Sequence, residues 1–179
     1  MTPLTSAIPT VWRTFTRLLR DASFPRDPGV DEPVAVWFGS PDQPNPDEHG
    51  NPPMATERVV VVGMVDNPDA EWGPMGQLAR EETWRFPIYV STAIPGRTSE
   101  QALARLEELT ALVELIVRDI NASARTATWP PEFTPYPKAQ VAVDRVRPLT
   151  PLGPDGYIGV AEIVIGCQFR VGTPPVVPD

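Results

Sequence analysis

One histidine and one cysteine set narrow limits on the chemistry available to this sequence. Nucleophilic catalysis needs an imidazole held by packing beside the attacking atom. His49 instead stands in Pro46-Asp-Glu-His-Gly-Asn-Pro52, a stretch with no periodicity to position it. Cys167 falls inside an alternating apolar run with only Arg170 as a nearby base, which reads as a small buried hydrophobe rather than a thiolate. Asp42, Asp47 and Glu48 are the nearest approach to a metal loop, but Pro41, Pro44 and Pro46 interrupt it and the distal glutamate of a calcium loop is missing. The adjacent acids Glu81-Glu82 and Glu107-Glu108 diverge on a strand or a helix, so neither forms an acid–base dyad. In Trp72-Gly-Pro-Met-Gly76 a proline occupies a place where a phosphate loop needs free N–H donors. No catalytic, cofactor-binding or metal-ligating residue is assigned, and a non-enzyme is expected.

Two other groups of residues suit contact rather than chemistry. Trp72, Trp129, Phe133 and Tyr136 lie in proline-rich stretches, where a stiff backbone lets an aromatic ring anchor a partner at small entropic cost, or pack beneath its own loop. Arg13, Arg17 and Arg20 form a basic stripe, which is either a solvated helix face or a partner for acids such as Glu100, Glu107 and Glu114 on a neighbouring subunit. These six charged residues, with Trp72 and Trp129, are the candidate subunit-interface set.

The elements that must position them follow from hydrophobic spacing. Ile8, Val11, Trp12, Phe15, Leu18, Leu19 and Ala22 recur every three or four residues and predict a first amphipathic helix, with Pro9 tolerated in its first turn. Val34–Phe38 predicts a short strand ending at Gly39-Ser-Pro41, and Arg58–Val65 a second whose continuous apolar run implies cover on both faces. Residues 66–82 read as a connection. A third strand is predicted over Glu82–Thr92, with Pro87 placing it at an edge or a bulge. Thr98-Ser-Glu-Gln101 has capping-box spacing and opens a long helix, with Ala102, Leu106, Leu109, Val113, Ile116 and Ile120 buried and Arg105, Glu108, Glu114 and Arg118 opposed to them. Ala139, Val141 and Val143, then Tyr157–Val171 after a turn at Gly153–Gly156, predict a closing antiparallel hairpin. Strands in runs and helices singly imply an α+β fold: a mostly antiparallel sheet of about five strands flanked by an N-terminal helix and one long helix. A single domain is expected over residues 1–172, with proline-rich loops at about 40–57, 66–81 and 121–137 and an extended tail at 173–179.

Composition narrows the class further. A chain of 179 residues can bury about 70% of its unfolded surface, and 41% hydrophobic residues place it among globular proteins despite 24 prolines. A formal charge of −8 argues against gripping nucleic acid through a basic surface. One cysteine makes no intrachain disulfide, Met1–Thr10 lacks the basic and apolar segments of a secretion signal, and Val59–Val62, the longest aliphatic run, is far short of a membrane span. A soluble protein made in a cytoplasm, without a membrane partner, is expected.

The arrangement resembles the tail-terminator (tail completion and connector) proteins of siphophages, the long-tailed bacteriophages with non-contractile tails. The resemblance rests on the helix Ile8–Ala22 ending in Arg20-Asp21, the strand closing in Val36-Trp-Phe-Gly39, the strand Glu82–Thr92 running into helix Thr98–Asn121, and the hairpin through Gly156–Val171. It covers residues 5–171, while the proline-rich stretches 40–57 and 121–137 exceed those of compact members. It implies a structural virion protein at the head–tail junction, assembled in the host cytoplasm. Such a protein forms a homo-oligomeric ring, usually of six copies, that caps the tail tube and meets the head-side connector. No cofactor is implied. An acidic lumen would let the genome pass without specific binding. Three other classes stay open on the sequence: another neck protein, a monomeric adaptor, and an enzyme assembled from loop carboxylates.

Overall fold

The computed structural model describes residues 6–28, 30–31, 33–39, 57–64, 66–72, 79–93, 96–123, 130–133, 139–149, 152–153, 156–157 and 159–172; for 66–72, 79, 121–123, 152–153, 156–157 and 172 it describes the backbone alone. The order is α1 (Ile8–Asp21), β1 (Ala35–Gly39), β2 (Glu57–Val62), β3 (Asp66–Trp72), β4 (Ala79–Thr92), α2 (Ser99–Ser123), a 3-10 turn (Pro131–Phe133), β5 (Gln140–Leu149), the short pair β6 (Leu152–Gly153) and β7 (Gly156–Tyr157), and β8 (Gly159–Gly172). It is an α+β fold. One six-stranded sheet runs β1-β2-β4-β8-β5, with β3 also on β4; β1 and β2 are parallel and the other pairs antiparallel.

The central strands bury one face because their residues alternate. Trp84, Phe86, Ile88 and Val90 of β4 lie opposite Cys167, Ile165, Ile163 and Ala161 of β8, and all eight side chains are buried. Val11, Phe15 and Leu19 of α1 and Leu106, Leu109, Val113, Val117 and Ile120 of α2 close over this face. Val59, Val60 and Val61 are all buried, as the unbroken apolar run of β2 requires. Gly159 lets α2 come close to β8: a Cβ there would meet Thr92 Cγ2 at 3.2 Å and the Ala102 carbonyl oxygen at 3.4 Å.

Both helix starts are built as their sequences demand. Pro9 sits in the first turn of α1, and Ser23 at φ 47° ends that helix in the left-handed region. The Thr98 backbone N–H donates to Gln101 Oε1 at 3.1 Å and the Gln101 N–H to Thr98 Oγ1 at 3.3 Å, the two reciprocal bonds of a capping box.

Several expectations need correction. Residues 66–72 form β3, a strand that its polar composition concealed, and β4 starts at Ala79 to pair with it. Pro87 is not on an edge strand, since β4 is flanked on both sides. β2 pairs no further than Ile88 and β3 begins at Arg85, so Pro87 meets a break between two neighbours on one flank while facing Val164 on the other. Of the two readings left open for Phe133, packing within the chain is the one observed, since it is fully buried and lies edge-on against Phe169 at 5.4 Å. Arg105, expected on the solvent side of α2, is 5% exposed. Its Nε and one terminal nitrogen both donate to Glu57 at 2.7 Å, and the same terminal nitrogen reaches the Pro25 carbonyl at 2.6 Å.

Candidate interaction surfaces

α1 and β1 enclose a cleft of about 660 Å³ on one flank of the sheet, lined by Pro9, Trp12, Arg13, Thr16, Arg17, Arg20, Asp21 and Phe38. Its floor is aromatic. Trp12 and Phe38 lie 5.3 Å apart between ring centroids, and Phe38 remains 45% exposed. Adjacent strand residues point to opposite faces, so Trp37 is buried on one side of the sheet while Phe38 falls beneath the rim of α1 on the other. Gly63, just past the end of β2, makes room for the Phe38 ring; a Cβ there would come within 2.8 Å of its Cζ.

The expected basic stripe is the rim of this cleft. Arg13, Arg17 and Arg20 are all exposed. Arg13 Nε donates to the Pro9 carbonyl at 3.2 Å and Arg20 Nε to the Val36 carbonyl at 3.0 Å. Arg17 is held within the chain, donating to Glu132 Oε1 and Oε2 at 3.0 and 3.1 Å and reaching Asp21 at 3.4 Å. Residue spacing alone gave no sign of the Arg17–Glu132 clamp, which docks the 3-10 turn on α1.

On the opposite flank, α2 lies beside β5 and presents an acidic outer face. Glu100, Glu107 and Glu114 are exposed at intervals of seven, so they share one side of the helix. Leu103, between the first two, is 46% exposed, and Leu115, directly after the third, is 40% exposed. A second depression, of about 650 Å³ and lined by Ala111, Glu114, Leu115, Val117, Arg118, Ala142 and Val143, continues this face onto β5. Trp72 occupies the last position of β3, in register with Arg80, and its side chain lies outside the described residues, as does all of Trp129. The structure therefore groups the three arginines on one flank and the three glutamates on the other.

Polar chemistry elsewhere is structural in its surroundings. Glu82 is 4% exposed and accepts from Ser6 Oγ and the Ala7 N–H, each at 3.0 Å, placing a carboxylate at the positive end of α1; Arg80 also pairs with it. Arg105 stays charged, its guanidinium held above its ordinary value first by the Glu57 hydrogen bond, against the opposing pull of burial, and further by Glu108. Asp27 pairs with Arg97 and lies 3.9 Å from Arg105, so the chain after α1 is tied to β2 and α2 through one buried ionic cluster. Burial pushes the Cys167 thiol well up, away from thiolate chemistry. No metal-ligand cluster occurs among the described residues, and no helix among them is long and apolar enough to cross a membrane. His49, Asp42, Asp47, Glu48, Tyr136 and the 73–76 segment lie outside the described residues.

The described residues define an α+β protein with an aromatic, arginine-rimmed cleft on one flank and an acidic helix face on the other. A scan against protein-family models and a search of curated proteins both return no match.

Proposed function

We propose that this chain is a structural virion protein, a tail terminator that closes the tail tube of a long-tailed phage and joins it to the head-side connector. The observation that carries the reading is the element order on one sheet: an amphipathic α1, the strand ending in Trp37-Phe38-Gly39, a long strand leading through a capping box into α2, and a closing β5–β8 hairpin. A structural role also agrees with the sequence, in which no residue pair capable of nucleophilic or acid–base catalysis stands out. In a ring of copies, the net charge of −8 on each chain would make an inner wall that repels the passing genome.

The test uses purified protein and preformed tail tubes viewed by electron microscopy. Extra density confined to tube ends supports a terminator. Decoration along the wall, or no binding to tubes that still lack their natural cap, overturns it.

A further inference from the structure

The cleft between α1 and β1 and the outer face of α2 carry opposite charge, and they lie on opposite flanks of one sheet whose order is β1-β2-β4-β8-β5. One flank pairs an aromatic floor, Trp12 and Phe38, with basic residues; the other pairs exposed Leu103 and Leu115 with acidic ones. From this we infer that the α1–β1 cleft of one copy receives the outer face of α2 from a second copy, head to tail. The inference deepens the ring proposal, which it needs only for closure of the assembly.

Register supports this occupant. Arg13 and Arg20 are seven residues apart on α1, and Glu107 and Glu114 are seven apart on α2. Each pair therefore spans two turns, about 10.5 Å along its helix, and two helices laid side by side can match both charges at once. Arg17 contributes less, being occupied by Glu132. Exposed pairs of this kind are individually weak, so they set register while the aromatic floor and the leucines supply affinity. Because the two patches differ, the contact is heterologous and repeats around a ring or along an open helix instead of stopping at a dimer. The opposite outcome, self-pairing of exposed sheet edges, is opposed at β5 by the bulge between Val143 and Arg145 and by exposed Arg145, Arg147 and Pro148.

The experiment places single cysteines in the full-length chain at Asp21, in the cleft, and at Ala111, in the middle of the acidic face, with buried Cys167 silent. A short bis-maleimide is added to each variant alone and to their mixture. The mixture should give covalent dimers, each variant alone should give few, and a chain carrying both cysteines should give a ladder. Adding Glu107→Arg and Glu114→Arg to the Ala111→Cys chain should cut dimer yield about tenfold, and Arg13→Glu with Arg20→Glu in the Asp21→Cys chain should restore it. Circular dichroism on every variant separates lost contact from lost fold, and Gln168→Cys, exposed on the face of the sheet turned away from both helices, controls for random collision. Three results overturn the contact: equal yield from one variant alone, equal yield from the Gln168→Cys control, or no dimer in the mixture up to the solubility limit. Dimers without tube capping would sink the terminator reading and leave this contact standing; capping without these dimers would do the reverse.

Discussion

Arg105 and Glu57 form a two-pronged ion pair with both nitrogen–oxygen distances at 2.7 Å, and neither side chain is more than 4% exposed. The pair fastens α2 to the first residue of β2. Arg105 also extends a bond to the Pro25 carbonyl, so the segment leaving α1 is held at the same point. Losing one charge strands the other in a place water does not reach. Arg105→Met should therefore destabilise the protein by about 3–5 kcal/mol, and adding Glu57→Met should recover much of that loss. Urea titrations of the two variants decide the matter: a double variant as unstable as the single would show that the cost lies in packing rather than in the unpaired carboxylate.

The core faces of α2 and β8 carry a simpler expectation. Leu109 and Ile163 are both 0% exposed. Leu109→Ala should cost about 2–5 kcal/mol through the cavity it leaves, and Ile163→Asp should prevent stable folding by burying a charge without a partner. An unchanged melting temperature in either variant would show that the face is wrongly assigned.

Gly159 tests how closely α2 lies on the sheet. Its added Cβ would press on a methyl group at 3.2 Å and on a backbone oxygen at 3.4 Å, and the oxygen belongs to a helix that cannot step aside alone. Gly159→Val should destabilise by about 1–3 kcal/mol, and Gly96→Ala, where open space surrounds the new atom but φ is +78°, isolates the separate cost of backbone strain. Thermal melts that show no loss for Gly159→Val would mean that the helix sits farther from β8.

Cys167 links stability to alkaline pH. Its thiol is raised well above the ordinary 9.0 by burial, so the folded chain keeps a proton that the unfolded chain releases. This contribution is constant below the unfolded thiol value and is lost as pH rises from there toward the folded value. Cys167→Ala should flatten that part of the alkaline decline when urea midpoints are compared across pH. In native buffer a thiol reagent should label the wild-type protein only as fast as it unfolds; rapid labelling would contradict the burial.

Local pattern was enough to establish much of this protein. The three-and-four spacing from Ile8 to Leu19, the Thr98–Gln101 capping box and the alternation through Ile163, Ile165, Cys167 and Phe169 each depend on neighbours in the chain, and those neighbours were visible in the sequence. The α+β class followed from their order. Tertiary structure alone decided what depends on distant partners. β3 is polar and becomes a strand only because β4 is long enough to pair with it, and Pro87 is tolerated mid-sheet because β2 and β3 leave a gap beside it. Arg105 looked like a solvent residue until Glu57, 48 positions away, supplied the countercharge that makes its burial possible. The cleft has the same origin: the sequence marked Val34–Phe38 only as a short strand, and α1, the end of β2 and the parallel β1–β2 register were needed to bring Phe38, Trp12 and Gly63 together. Periodicity reports which face a side chain occupies, and only the folded chain determines what stands opposite.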